Sequence, residues 1–327
     1  MSHRTRSICA VAALILPLSA LLSDEPHHDD AHRAEMLVNL YTGEPVAFDE
    51  MMDDLSQVEV IYIGERHGID RHHRLQRQVI SALSERDRPL VVGIEMMQQR
   101  FQPELDRYTR GELDFEELAA KTEWASHWSN YRDYRPILES ARLRHATILA
   151  LNADTAVIRR IGREGLAALS EEERATLPAC INLEDQPYYD LLALQFMVHR
   201  HVTEETLKNM FAAQVARDET MAETMARYLL SAEGQGRQAV VLCGAGHCAY
   251  GYGTVARLRK RLPESDDRIL IMSASGDVRL SEAMKRHARP IQITHAQRRR
   301  IIQTPLGDYL SVIEPADVGN QEVAADE

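Results

Sequence analysis

Val58-Glu59-Val60-Ile61-Tyr62-Ile63-Gly64-Glu65-Arg66-His67 begins with a run of mostly β-branched apolar side chains, breaks at a glycine and ends in three ionisable groups. A run of this kind reads as a strand covered on both faces, because a half-exposed strand would alternate apolar with polar residues. Asp70 then caps a helical pattern in which Leu75, Val79 and Leu83 recur at i, i+4, i+8, a stripe that faces a core. The unit returns along the chain. Leu90-Val91-Val92-Gly93-Ile94-Glu95 follows Pro89, and Thr147-Ile148-Leu149-Ala150-Leu151, Ala239-Val240-Val241-Leu242-Cys243 and Arg268-Ile269-Leu270-Ile271-Met272 are three further strands of the same character. Helical composition fills the intervals at 98–145, 155–164, 187–232 and 254–261, with a capping box at Ser170-Glu171-Glu172-Glu173. Leu207, Phe211 and Val215, then Met221, Met225 and Leu229, are packing stripes.

Strand and helix alternating in this order specify an α/β fold with a mainly parallel central sheet covered by helices on both faces, and a helical insertion subdomain at about 155–235. The main domain is expected over 46–275, after an irregular leader at 24–45. A C-terminal extension, 276–327, carries Arg298-Arg299-Arg300, an edge strand at Tyr309–Ile313 and an acidic tail.

The 327 residues include 38 basic and 50 acidic side chains, a net charge of −12. That balance argues against a nucleic-acid partner, which needs a basic surface. Of the basic residues 34 are Arg and four Lys, and guanidinium suits bidentate binding of carboxylates. Tyrosine outnumbers phenylalanine eleven to five, so the use of the phenol oxygens is a question. Residues 1–23 join a basic start, Arg4 and Arg6, to an uncharged apolar run from Ile8 to Leu22. The run is shorter than the roughly 20 residues of a spanning helix, so a signal peptide or an N-terminal anchor is expected, and with it an exported protein, periplasmic or tethered at the cell envelope. Removing this stretch would take the charge to −14. Cys180, Cys243 and Cys248 would remain. The four residues between Cys243 and Cys248 match neither a zinc knuckle nor a redox dithiol motif, and buried or unpaired thiols are expected.

In an open parallel sheet ligands gather beyond the carboxyl ends of the strands. The first strand ends in Gly64-Glu65-Arg66-His67, the second in Glu95, the third in Asn152-Ala153-Asp154 and the fourth in Gly244-Ala245-Gly246-His247. Four convergent ends, two sharing Gly-x-x-His, are the informative pattern. His67 and His247 could ligate a metal or haem iron, act as acid or base near neutral pH, or satisfy loop backbone. Glu65 and Glu95 could be a paired acid and base or could anchor an imidazole. Glu95 is the stronger of the two, since a carboxylate ending an apolar strand needs a partner. Of His72 and His73, in the first turn of a helix, at least one is expected to be exposed. Tyr250-Gly251-Tyr252-Gly253 lies just beyond His247, and phenolate oxygen is a ligand of ferric haem iron. Neither a Gly-x-Gly-x-x-Gly turn nor a Walker lysine follows the first strand.

The chain resembles the ChaN-type haem-binding uptake proteins, which share a superfamily with the Tiki/TraB metalloproteases and erythromycin esterases. The likeness runs from about residue 58 to 272. It rests on Ile63-Gly64-Glu65-Arg66-His67, His72-His73-Arg74-Leu75-Gln76, Gly93-Ile94-Glu95-Met96, Phe101-Gln102-Pro103-Glu104-Leu105-Asp106, Thr122-Glu123-Trp124, Tyr134-Arg135-Pro136-Ile137-Leu138, Leu149-Ala150-Leu151-Asn152, Gln214-Val215-Ala216-Arg217-Asp218-Glu219-Thr220-Met221-Ala222 and the Gly244-to-Gly253 stretch. The resemblance implies an exported, iron-regulated haem-binding protein in which tyrosine ligates the iron and two haems stack between paired protomers, serving an outer-membrane haem or iron transport system. Tyr252 or Tyr250 would be the axial ligand, His67 and His247 would line the site, Arg66 would meet a propionate, and Tyr62 also lies near the crevice. Gly68-Ile69 stands where the family commonly has Asp-Asn, and no lipobox cysteine follows the apolar run, Cys9 lying near its start. The alternative implied by the Tiki/TraB relatives is a divalent-metal-dependent hydrolase, with Glu65, His67, Glu95 and His247 holding zinc or manganese. No Gly-x-Ser-x-Gly elbow is present, which disfavours a serine hydrolase.

Overall fold

The computed structural model describes residues 35–196, 203–274 and 305–313, excepting the side chains of 195 and 196. The strands are β1 (Glu35–Asn39), β2 (Pro45–Val46), β3 (Val60–Glu65), β4 (Leu90–Gln98), β5 (Thr147–Asn152), β6 (Gln238–Gly244), β7 (Asp267–Met272) and β8 (Tyr309–Ile313). The helices are α1 (Phe48–Leu55), α2 (Asp70–Ser84), α3 (Gln102–Thr109), α4 (Phe115–Lys121), α5 (Trp124–His127), α6 (Arg135–Leu143), α7 (Thr155–Glu164), α8 (Glu171–Ala175), α9 (Gln186–Phe196), α10 (Glu204–Leu229) and α11 (Gly253–Arg261). The strands form one sheet in the order β2-β1-β8-β7-β3-β6-β4-β5. The six from β8 to β5 run parallel, and β1 and β2 add an antiparallel edge.

The mainly parallel α/β sheet is therefore the one expected. β3, β4 and β6 are buried at every position, as strands between two helical layers must be. Side chains alternate between two cores. Ile61, Ile63, Val92 and Ile94 pack with Leu75, Val79 and Leu83 of α2 and Ile137 and Leu138 of α6. Val60, Tyr62, Val91 and Val241 pack on the other face with Met221 and Met225 of α10 and Val255 and Leu258 of α11.

Four local expectations change. Asp70 is the first residue of α2, whose N-cap is Ile69. Residues 35–39 are a strand rather than part of an irregular leader. Tyr309–Ile313 is not an edge, because β8 lies between β1 and β7. The 155–235 insert is not set apart from the sheet either, since α10 is part of the sheet's covering layer, and α7 and α9 pack against α10 in separate clusters. At the other end of the sheet β5 is an edge, and Gln102 covers it: its Nε2 donates to Ile148 O at 2.9 Å and its Oε1 accepts from Ala150 N at 2.7 Å. The apolar run of residues 8–22, the 298–300 arginines and the acidic tail lie outside the described residues. Among the described residues no helix is long and apolar enough to cross a membrane.

Candidate functional site

β3, β6 and β4 are neighbours, yet α2, which follows β3, lies on one face and α11, which follows β6, on the other. The chain thus leaves the sheet in opposite directions at adjacent strand ends, which opens a crevice there. The pleat sends Glu65 to the α2 face and Glu95 to the α10 face, both buried.

Glu65 is saturated with donors. Its Oε1 lies 2.5 Å from His67 Nδ1 and accepts the Tyr134 hydroxyl, while its Oε2 accepts Gln76 Nε2 at 2.8 Å and lies 3.3 Å from His73 Nε2. Burial alone would raise its pKa, but the hydrogen bond from His67 and the close approach of His67 and His73 reverse this and hold the carboxyl well below the usual carboxylate range. In turn burial would lower His67, and the Glu65 hydrogen bond and charge push it up instead. With Nδ1 held, His67 turns Nε2 towards Glu95, 4.0 Å from Oε2, and its ring meets the Trp128 edge with centroids 4.8 Å apart. Gly244 lies beneath it, where a Cβ would come within 2.9 Å of Nε2. Neither neighbouring histidine is exposed. His72 accepts the Arg66 N–H at Nδ1 (3.2 Å) and reaches Ser273 O with Nε2 (3.1 Å), and burial lowers its pKa.

On the other face Glu95 Oε2 accepts the Gly244 N–H at 2.7 Å, and Oε1 lies 3.2 Å from His247 Nε2 and 3.7 Å from an Arg217 nitrogen. His247 Nδ1 is 2.7 Å from Asp218 Oδ1, so both ring nitrogens face carboxylates. Burial would lower the His247 pKa, but the charges of Glu95 and Asp218 push it up to about 10. At neutral pH it is an imidazolium held between two anions, neither a base nor a free ligand. Burial would raise Glu95, and the His247 charge and hydrogen bond outweigh that and hold it well below the usual range. Asp218 also accepts from Thr254 Oγ1 and from the Tyr188 hydroxyl, each at 2.9 Å.

The structure thus brings Glu65, His67, Glu95 and His247 together, but as carboxylate–imidazole pairs. They do not converge on a point as the metal reading expected. Among the described residues no three His, Cys, Asp or Glu side chains are arranged to hold an ion. Tyr62 does not reach the crevice, because its ring is 1% exposed in the core beneath α10 and α11. Tyr250 and Tyr252 are half-buried against Tyr188, Tyr189, Phe211, Leu191 and Leu192. The Tyr252 ring stacks on Tyr188, centroids 5.9 Å apart at 28°, and its hydroxyl has no hydrogen-bond partner among the described residues. Tyr250 sits at φ 60° and donates its N–H to Leu306 O at 2.8 Å. Arg66 is half-buried with no acidic partner among the described residues, and burial lowers its pKa.

Tyr134, Gln76, Asp218, Tyr188 and Tyr189 were not anticipated in the site. Asp218 left a trace in the sequence, because Gln214 and Asp218 continue the stripe of Phe211, Val215, Met221 and Met225 on α10. An acid within an apolar stripe requires a buried partner.

The chain is 24% identical over 251 residues to Protein RETICULATA-RELATED 5, chloroplastic, of Arabidopsis thaliana, an alignment covering 70% of this chain and 34% of that protein. It therefore spans about a third of that relative's length. Its fold is shared with the solved structure described as cofacial heme binding to ChaN of Campylobacter jejuni, with a TM-score of 0.62, 16% identity, and coverage of 86% of this chain and 97% of that one. The model of the family described as haem-binding uptake, Tiki superfamily, ChaN matches residues 51–258, more than half of the sequence, and the chain belongs to that family.

Proposed function

We propose that the crevice binds haem and that a phenolate of the tyrosine cluster, from Tyr252 or Tyr250, takes the iron. The observation that carries this is the Tyr252 hydroxyl, which has no hydrogen-bond partner among the described residues and lies beside an aromatic cluster beyond the end of β6. Ferric haem supplies an iron with an axial position open to such an oxygen. The residues present fit the group. Tyr189, Leu194, Tyr250 and Tyr252, partly exposed over the buried Tyr188 and Phe211, offer apolar surface to a flat ligand, and Arg66 has no counter-ion among the described residues, a role that a propionate would fill. His67, 18% exposed at its side chain, lines the site, whereas His247 acts from behind by fixing Glu95 and Asp218. Family membership supports haem as the ligand. On this reading the protein works in haem or iron uptake at the cell envelope, exported by its first 23 residues. Pairing of protomers through stacked haems and service to an outer-membrane transport system belong to the same proposal.

Titration with hemin, read by absorbance and native mass, tests it. We expect saturable binding with a high-spin ferric tyrosinate spectrum that is lost in the Tyr250→Phe/Tyr252→Phe double variant. Tyr189→Phe reports whether the neighbouring phenol on α9 substitutes. Unsaturable binding unchanged in all variants would sink the proposal.

One observation favours a second reading, hydrolysis. His67 is oriented by Glu65 at 2.5 Å with Nε2 turned to the crevice, a carboxylate–imidazole pair able to take a proton from water without a resident ion. Ester and peptide hydrolysis that survives chelation and disappears in His67→Gln would support it. Absence of turnover across both substrate classes would end it.

A further inference from the structure

Cys243 and Cys248 are free, fully buried and members of one apolar cluster. Cys243 lies on β6 in register with Gly64 of β3, one strand spacing away. A Cβ on Gly64 would come within 2.6 Å of Cys248 Sγ, so the Cys248 thiol occupies the room left by the missing side chain, next to Cys243. The 3-10 turn Ala245–His247 folds the chain back to place it there, in the same apolar cluster as Cys243. Separation in sequence concealed nearness in space.

We propose that Cys243 and Cys248 are a dithiol–disulfide pair whose oxidation resets the turn that follows Gly244 and carries His247. A disulfide draws its two sulfurs to about 2.05 Å, so one partner must move. β6 is locked between β3 and β4, whereas the segment after Cys248 is held by left-handed turns at Tyr250, Gly251 and Gly253. The turn therefore yields. It carries the His247 ring between Glu95 and Asp218, so oxidation reaches the crevice.

A small-molecule disulfide is the oxidant. The thiolate of one cysteine attacks a sulfur of the reagent, whose S–S bond breaks to release one thiolate and leave a mixed disulfide. The second cysteine then attacks the protein sulfur of that bond and expels the other thiolate. The two protein thiol protons end on the two released thiolates: one protein S–S bond forms, one reagent S–S bond breaks, and two electrons pass to the reagent.

The full chain in a Cys9→Ser/Cys180→Ser background is equilibrated without haem across a series of reduced to oxidised glutathione, quenched in acid, denatured, alkylated with N-ethylmaleimide and weighed. We expect a cooperative change from two alkylated thiols to none, with a loss of 2 Da, no glutathione adduct and full recovery in dithiothreitol. The His247 Cε1–H resonance should move with oxidation, and should not move in Cys243→Ser or Cys248→Ser. Two thiols still alkylatable at the most oxidising ratio, stable mixed disulfides alone, or a disulfide that leaves the His247 resonance in place would each overturn the inference. All readouts are on haem-free protein, so their failure leaves the haem proposal untouched.

Discussion

Asp218 is the residue whose replacement tests the crevice electrostatics most directly. Its carboxylate is fully buried and accepts from His247 Nδ1 at 2.7 Å and from Thr254 Oγ1 and the Tyr188 hydroxyl at 2.9 Å each. Asp218→Ala removes a buried charge from its ionic partner and orphans three donors, and breaking a buried pair from one side costs about 4 kcal/mol. That is a large part of the stability of a typical domain. Asp218→Asn separates charge from hydrogen bonding. The amide oxygen can keep His247 and Thr254, while the amide nitrogen can donate to Tyr188, whose hydroxyl then donates to Gly246 O, 3.0 Å away. Only the charge is lost, and we expect about 2 kcal/mol at pH 7.

The pH dependence has a defined sign. The folded His247 pKa of about 10 lies above the unfolded 6.5, so its contribution is complete below pH 6.5 and disappears as pH rises through 10. The deficit of Asp218→Asn should therefore shrink to within ~0.5 kcal/mol at pH 10.5, where the wild-type imidazole is neutral. Urea unfolding of the three proteins at pH 7 and 10.5 measures it. An Asp218→Asn deficit equal at both pH values, or an Asp218→Ala cost below about 1 kcal/mol, would refute the picture of an imidazolium clamped between two anions.

Further expectations concern the same residues and the sheet. Glu65 and Glu95 titrate lower in the folded chain than the usual 4.5, so their contribution is present above that value and lost as pH falls below it towards the folded values. The urea midpoint should drop more steeply between pH 5 and 3 in the wild type than in Glu65→Gln, and parallel acid limbs would contradict this. Gly64→Ala puts a methyl 2.6 Å from Cys248 Sγ and 2.8 Å from an Ile271 methyl, and should cost about 2 kcal/mol, with partial rescue by Cys248→Ala; no rescue would mean that the clash is not with the thiol. Gln102→Ala uncovers Ile148 O and Ala150 N on the edge strand, and should lower thermal stability and promote concentration-dependent aggregation in light scattering.

Much of the molecule was legible in order along the chain. The apolar runs at 60–63, 90–94 and 239–243 are unbroken because both sides of these strands are covered, and this called for a parallel sheet. Charged groups after each run marked the strand ends. The polar partners were harder to see. Tyr134 meets Glu65 from 69 residues away and Asp218 meets His247 from 29, with no spacing rule linking either pair. Tyr62 illustrates the opposite error: three positions before the strand end, the pleat directs it into the core, a difference that nearness in sequence cannot express.

By itself, the sequence determined the α/β class and the strand-end placement of Glu65, His67, Glu95 and His247, because periodicity and turn chemistry are local properties. Only the tertiary structure decided that the two Gly-x-x-His turns hold their imidazoles against carboxylates, that two cysteines with no recognisable spacing share one apolar cluster beside Gly64, and that Tyr252 lies half-buried at the site while Tyr62 is enclosed in the core. Those outcomes depend on strand order, which sets β6 between β3 and β4, and on the pleat, which assigns each side chain to a face. Both arise from long-range pairing, and no segment of the chain encodes them alone.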